Sequence, residues 1–350
     1  MLHQQPFTVA ITDCEHENID PERSVLEPLG VAVEWLNCRS EEDVIQQAGA
    51  ADALIIQYVP ITGRVLDALP RVKIVSRYGI GVDMIDALAA TQRGVLVANV
   101  PDFCVEEVAT QAMTFLLAFA RKLVPIDHAV RDGRAIRDGT WNTVRLSKPL
   151  HRLSTQTLGI VGFGRIGRRV AVRAVACGLK VLAVDPAIEA AEMQQFGAVK
   201  VDTLEEMLPR VDYLTLHVPL METTRHLINA ERLALLRPEA IVINTARGAV
   251  IDEAALIAAL EAGRLAGAGI DVYAREPIGP DHPLCHMENV LLSSHSAWYS
   301  EQSLLDVKLR TAQAVADLVA GRIPQHVVNP DVLAIEDARW RRGMGVARRV

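Results

Sequence analysis

Positive charge is in short supply: 36 Lys and Arg stand against 43 Asp and Glu, a formal net charge of −7. Nonspecific binding to nucleic acid needs a basic face that neutralises phosphates, so a nucleic-acid partner is not expected. The one basic concentration is C-terminal, Arg339-Trp340-Arg341-Arg342 and then Arg348-Arg349. Residues 336–350 therefore read as a basic tail, frayed and solvated. Long apolar runs are missing too. The longest uncharged one, Val108–Ala120, stops at Arg121-Lys122, short of the ~20 residues that span a bilayer. Met1-Leu2-His3-Gln4-Gln5 has neither the basic start nor the apolar stretch of a secretory signal. The five cysteines (Cys14, Cys38, Cys104, Cys177, Cys285) form no Cys-x-x-Cys. A reduced, cytoplasmic setting follows as the expectation, with no membrane partner and no metal site. Internal repeats and low-complexity tracts are also lacking.

What is present is alternation. The 350 residues are 50% apolar, enough for two domains of ~150 residues each. Strand-like runs at Phe7–Asp13, Val31–Leu36, Ala53–Tyr58, Lys73–Arg77 and Val95–Val100 are separated by helix-like stretches such as Glu41–Ala50 and Asp86–Gln92. Val105–Lys122 reads as a long helix apolar on more than one side, and 131–154 as irregular surface chain. The pattern restarts at Leu158–Gly162, Lys180–Asp185, Tyr213–Val218, Ala240–Asn244, Gly267–Val272 and Val290–Ser293. A helix over Ser300–Ala320 and a return path over Arg322–Pro330 close the chain. The fold class is α/β, with two Rossmann-like parallel-sheet domains.

The second sheet opens with Leu158-Gly-Ile-Val-Gly162-Phe-Gly164-Arg-Ile-Gly167. Gly162 permits a tight turn, Gly164 lets the backbone approach a pyrophosphate, and Gly167 lets helix and strand pack closely. The amides of Arg165 and Ile166 open the helix, where the dipole favours an anion. The next strand ends in Asp185, the right distance on for a carboxylate on ribose hydroxyls. Pro186 and Ala187 follow in place of a basic residue, so NAD is expected over NADP.

Three later strands lead into Arg247, Glu276 and His295. Residues beyond the carboxyl ends of parallel strands face the ligand crevice. Reduction of a 2-oxo acid needs a proton donor and a cation for carboxylate and carbonyl. Arg247 offers the bidentate fork, His295 the proton, and Glu276 an orienting partner for the imidazole.

Asn244-Thr-Ala-Arg-Gly-Ala-Val-Ile-Asp252, Gly269-Ile-Asp-Val-Tyr-Ala-Arg-Glu-Pro277 and Ser294-His-Ser-Ala-Trp-Tyr-Ser300 resemble signatures of the D-isomer-specific 2-hydroxyacid dehydrogenases, with similarity from about Ala53 to Val327. The resemblance makes Arg247, Glu276 and His295 catalytic. It assigns the cofactor side to His217, Val218 and Pro219 with Thr224, to Thr245 and Ala246, and to Asp271 for the nicotinamide carboxamide. Arg77-Tyr-Gly-Ile-Gly-Val-Asp83 resembles the substrate loop, with the Ile80 and Gly81 amides on the substrate carboxylate. Also implied are a flavodoxin-like substrate domain (1–102 with 298–335), an inserted NAD-binding domain (103–297), hinge closure and a homodimer. Within the family the chain looks most like the C-terminal-binding-protein group, through Arg77, Ala297-Trp-Tyr-Ser-Glu-Gln302 and Gly321-Arg-Ile-Pro324. That likeness gives Trp298 a place in the substrate pocket, with Ile56, Gln57 and Tyr78 as further wall candidates. The function implied is hydride transfer between NAD(H) and a small 2-oxo or 2-hydroxy acid. The alternative is an NAD(H)-sensing dimer that binds proteins with little turnover. Formate is disfavoured, because formate dehydrogenases carry Gln in place of Glu276.

Overall fold

A computed structural model describes residues 6–342, so Arg348 and Arg349 lie outside the described residues. Two compact units divide the chain, Met1–Phe103 with Ser300–Val350, and Cys104–Tyr299 inserted between them in sequence. Among the described residues no helix is long and apolar enough to cross a membrane.

Among the described residues the first unit holds five strands: β1 (Thr8–Ile11), β2 (Ala32–Trp35), β3 (Ala53–Ile56), β4 (Ile74–Arg77) and β5 (Leu96–Ala98). They form one sheet in the order β2-β1-β3-β4-β5, every pair parallel. This is the flavodoxin-like order, with its switch point between β1 and β3. Central strands β1, β3 and β4 are buried along their whole length, as parallel strands covered on both faces must be. Alternate residues feed two cores. Val9, Ile11, Ile55 and Ile74 meet Leu26, Val307 and Val315 on one face. Ala10, Leu54, Ile56 and Val75 meet Val44, Val65, Leu66 and Ala90 on the other. The returning chain then pairs with this sheet, Val327 bridging Ala98 antiparallel and the Asn329 side chain accepting the Val97 amide at 2.9 Å.

The basic tail is not a frayed end where it is described. Trp340 is fully buried in the first-unit core. Its amide donates to Gly94 O at 3.0 Å and its indole N–H to Val332 O at 3.3 Å. Arg339 donates to Leu66 O, Arg341 to Leu333 O and Ile335 O. One tryptophan removes roughly 200 Å² from water, worth about 5 kcal/mol as an upper figure, so it outweighs the solubility of three flanking arginines.

The second unit starts with the helix Val105–Ala120. It ends two residues before the expected Lys122, which takes a left-handed conformation and starts a second helix, Leu123–Arg131. Its exposed Thr110 and Thr114 mark a solvent side, so it is not apolar all round. The 131–154 stretch is less irregular than its composition suggests, with a short hairpin of β6 (Ile136–Arg137) and β7 (Thr140–Trp141) and a helix over Thr143–Ser147. Seven parallel strands follow: β8 (Thr157–Val161), β9 (Lys180–Val184), β10 (Ala198–Lys200), β11 (Tyr213–Leu216), β12 (Ile241–Asn244), β13 (Gly267–Ile270) and β14 (Val290–Leu292). Their order is β10-β9-β8-β11-β12-β13-β14, the Rossmann order with one strand added and its switch point between β8 and β11. The sequence pattern alone does not reveal β10. That strand is three residues at the sheet edge with Val199 exposed, too short and too solvated to show a period.

Candidate active site

The glycine turn lies at the β8/β11 switch point. Gly162 has φ +89°, and a Cβ there would sit 2.8 Å from the His217 backbone after β11. A Cβ on Gly167 would sit 2.3 Å from Gly162 O, so the helix Arg165–Ala176 packs against the turn only through a glycine. Gly164 is different: φ is −72° and no side chain caps the helix there, while the space around a Cβ is open. Close approach by a ligand, and not strain, is what a side chain at 164 would prevent. The first-turn amides of Arg165 and Ile166 point out of an uncapped helix end, which is where an anion belongs.

Asp185 ends β9 and ties this turn together, accepting Phe163 N at 2.8 Å and Ala187 N at 2.9 Å. Thr245, past β12, keeps its Oγ1 buried with no hydrogen-bond partner among the described residues. His217 Nδ1 is likewise buried without one, while its Nε2 meets Thr215 Oγ1 at 3.0 Å. Loss of water around that ring pushes it down to about 3, so it stays neutral. Val218 and Pro219 continue this loop, and Thr224 pins it, its hydroxyl donating to Pro219 O at 2.6 Å and accepting Met221 N at 2.8 Å. Glycine cradle, uncapped helix end and orphaned buried polar atoms together fit a dinucleotide.

Past the next three strand ends stand Arg247, Glu276 and His295. An Asn244 side-chain turn, accepting from Ala246 N at 3.0 Å and donating to Arg247 O at 2.9 Å, sets the chain at Arg247. His295 Nδ1 lies 2.6 Å from Glu276 Oε2. The two side chains are 27% and 31% exposed, so the pair is open to a ligand. Burial opposes the charge on Glu276, but the His295 hydrogen bond and charge, the Tyr273 amide and Arg247 outweigh it. The carboxyl is held below the usual glutamate range. His295 takes φ +55°, a left-handed backbone that a histidine keeps only when its surroundings impose it.

Those surroundings are visible. Asp271 is buried, its carboxylate accepting Ser293 Oγ–H at 2.5 Å, Ser296 N at 2.9 Å and Ala297 N at 3.1 Å. Its carbonyl accepts His295 N at 2.8 Å. Asp271 thus frames the loop on both sides of the histidine. Tyr273 adds its hydroxyl to Ser293 O at 2.7 Å and its amide to Glu276 Oε1 at 2.9 Å. Sequence reasoning misses Ser293 and Tyr273; Tyr273 sits inside a motif, but nothing in spacing says where a hydroxyl points. Trp298 follows, half-buried and edge-on to Tyr299 with ring centroids 5.6 Å apart, so it is not a core aromatic.

In the first unit, Arg77 ends β4 and is buried. The Ile80 and Gly81 amides that follow donate to no acceptor among the described residues, and Ile80 O is held by Asn99 Nδ2 at 2.6 Å. Two wall candidates face inward instead. Ile56 is a core residue of the sheet, and Tyr78 is buried with its hydroxyl on Glu22. Gln57 is buried as well, its side chain accepting Glu15 N and donating to Glu15 Oε1, both at 2.9 Å.

Comparison with known proteins relates the whole chain to one family. Residues 113–297 match the family model described as D-isomer specific 2-hydroxyacid dehydrogenase, NAD binding domain. A glyoxylate reductase from Korarchaeum cryptofilum is 38% identical over 301 residues, 85% of this chain and 88% of that protein. A D-3-phosphoglycerate dehydrogenase from Methanocaldococcus jannaschii is 34% identical over 92% of this chain, which spans 59% of that longer protein. The crystal structure of D-lactate dehydrogenase from Aquifex aeolicus with NAD and lactic acid superposes with TM-score 0.81 at 28% identity, covering 92% of this chain and 99% of that one.

Proposed function

Because the chain belongs to the D-isomer specific 2-hydroxyacid dehydrogenase family, we propose that it reduces a small 2-oxo acid to the D-2-hydroxy acid, with NADH, and runs the reverse reaction with NAD. The 2.6 Å pairing of His295 with Glu276 on a left-handed backbone carries this reading. A bound nicotinamide supplies or takes the hydride. His295 protonates the carbonyl oxygen from the nitrogen that Glu276 does not hold. Glu276, kept ionised, fixes the imidazole and stabilises its charged form before the proton leaves. Arg247 polarises the carbonyl and neutralises the substrate carboxylate. Arg77 and the Ile80 and Gly81 amides supply further anion contacts, and Trp298 an apolar wall.

Gly162, Gly164 and Gly167 with the Arg165 and Ile166 amides take the pyrophosphate, and Asp185 the ribose hydroxyls. His217 to Pro219, Thr224, Thr245 and Ala246 line the rest of the cofactor. Asp271, engaged with its own loop, has lone pairs left for the carboxamide.

NADH oxidation with glyoxylate, hydroxypyruvate, branched 2-oxo acids and 3-phosphohydroxypyruvate tests the reading. Tight NADH binding with turnover of none of them would sink it. His295→Asn is expected to lower turnover by about 10² to 10⁴, the range for a lost general acid, with NADH affinity unchanged. Wild-type turnover in that variant removes His295 from the role.

A further inference from the structure

Beneath the Arg77–Gly81 turn lies a buried polar cluster that the reaction as described does not use. Glu22, near the start of the helix Asp20–Leu26, is completely buried. Its Oε1 accepts the Tyr78 hydroxyl at 2.7 Å. Its Oε2 is buried with no hydrogen-bond partner among the described residues, and Lys308 Nζ stands 3.8 Å away. Lys308 is buried too and donates to Asn18 O. It projects from the helix Glu301–Val319, which also grips β4 directly, Thr311 O accepting the Ser76 hydroxyl at 2.9 Å. Three ionisable side chains of separate elements thus converge just behind one short turn.

Core packing does not ask for this. A buried, imperfectly bonded ion pair is commonly no more stable than apolar residues of the same volume, and such groups are best kept where they fix one arrangement. Burial also pushes the Glu22 carboxyl and the Tyr78 phenol up, and at Glu22 the Tyr78 hydrogen bond works against that push. The turn itself is tight. Gly79 has φ +124°, and a Cβ there would overlap the Arg77 guanidinium at 1.9 Å. Arg77 therefore folds back over Gly79, and its position depends on where Tyr78, between them, is anchored.

We propose that Tyr78, Glu22 and Lys308 form a positioning network that sets Arg77 and the Ile80 and Gly81 amides for the substrate carboxylate. The inference rests on the proposed role of that turn in substrate binding. None of the three is a catalytic residue.

A double-mutant cycle tests it, reading KM and kcat for glyoxylate or whichever 2-oxo acid proves best, together with NADH Kd. Tyr78→Phe is expected to raise KM about tenfold, the factor one lost buried hydrogen bond supplies, with kcat within about twofold and NADH Kd unchanged. Glu22→Gln, nearly isosteric and still an acceptor for Tyr78, is expected to raise KM about threefold. The double variant is expected to be no worse than Tyr78→Phe alone, because coupled residues do not add. A KM within twofold of wild type in Tyr78→Phe, additive effects, or an equal loss in NADH affinity overturns the proposal. If Tyr78→Phe does not fold, Glu22→Gln decides by the same split of KM against NADH Kd. A wild-type protein that turns over no 2-oxo acid removes the functional reading and this inference with it. Normal wild-type turnover with an unmoved KM removes the inference alone.

Discussion

Each of the two parallel sheets has a switch point, and the two are finished in opposite ways. Between β1 and β3 of the first unit, the Asp13 carboxylate accepts the amides of Gln57 at 3.2 Å, Tyr58 at 2.6 Å and Val59 at 3.1 Å. The Thr12 hydroxyl adds a fourth bond at 2.7 Å. An internal anion thus occupies the crevice where a doubly wound sheet ordinarily receives a ligand. Between β8 and β11 of the second unit nothing comparable intrudes. The turn carries glycines and the helix end no side-chain cap. One architecture therefore gives a crevice closed by its own chain and a crevice left for a cofactor. The choice is made by a few residues at the strand ends.

Gly164→Val breaks the comparison most sharply. A Cβ at 164 meets nothing within 4 Å, and the backbone at φ −72°, ψ −160° suits a β-branched residue. The fold is therefore expected to keep its melting temperature. The side chain instead fills the approach to the Arg165 and Ile166 amides, and losing charge-assisted bonds to a pyrophosphate is worth roughly 10²-fold in affinity. NADH titration by fluorescence beside calorimetry separates the two effects. Unchanged NADH affinity would mean that the open crevice is not where the dinucleotide sits.

Much of this contrast was legible in the sequence, and the illegible part has a physical cause. Alternating β-branched runs and helix stretches announced two parallel sheets, because strands covered on both faces need continuous apolar sequence. The open crevice was readable, since three glycines at fixed spacing leave a mark. The closed one was not: Asp13 is one acid after one strand, and its partners are backbone amides 44 to 46 residues away, a pairing that only the sheet order creates. The same holds at the loop that carries His295. Arg247, Glu276 and His295 stand out as residue types at strand ends, whereas the support from Asp271, Tyr273 and Ser293 depends on hydroxyl and carboxylate directions. Trp340 is hidden from a sequence reading for another reason. Flanking arginines made the segment look solvated, although Arg339 and Arg341 send their guanidinium groups to backbone carbonyls and leave the indole inside.

Asp13→Ala sharpens the comparison from the other side. Three amides lose their acceptor together, two of them part-buried and that of Tyr58 exposed; an unsatisfied buried donor costs about 1–3 kcal/mol, and with water relieving these in part a net loss of roughly 2 kcal/mol is expected. Calorimetry should show the lower melting temperature, with NADH affinity unaltered. If the amides form an anion cradle, phosphate should raise the melting temperature of the variant and leave the wild type unchanged. A variant as stable as the wild type would show that water replaces the carboxylate freely.

The smallest expected effect concerns which dinucleotide the open crevice prefers. Asp185 ends β9 with no basic residue beside it, and its carboxylate would repel a 2′-phosphate while accepting from ribose hydroxyls. It also holds the amides of Phe163 and Ala187, so Asp185→Ala loosens the turn for any dinucleotide. That structural penalty falls on NADH and NADPH alike and cancels in the ratio of their dissociation constants. What remains is the ribose hydrogen bonding that NADH gives up and the repulsion relieved for NADPH. Together they move the ratio about fivefold if each is worth about 0.5 kcal/mol, the scale of a modest, partly solvated polar interaction. Parallel titrations of the two cofactors measure it directly. A ratio that does not move would assign the discrimination to other residues of the crevice and leave Asp185 only its hold on the glycine turn.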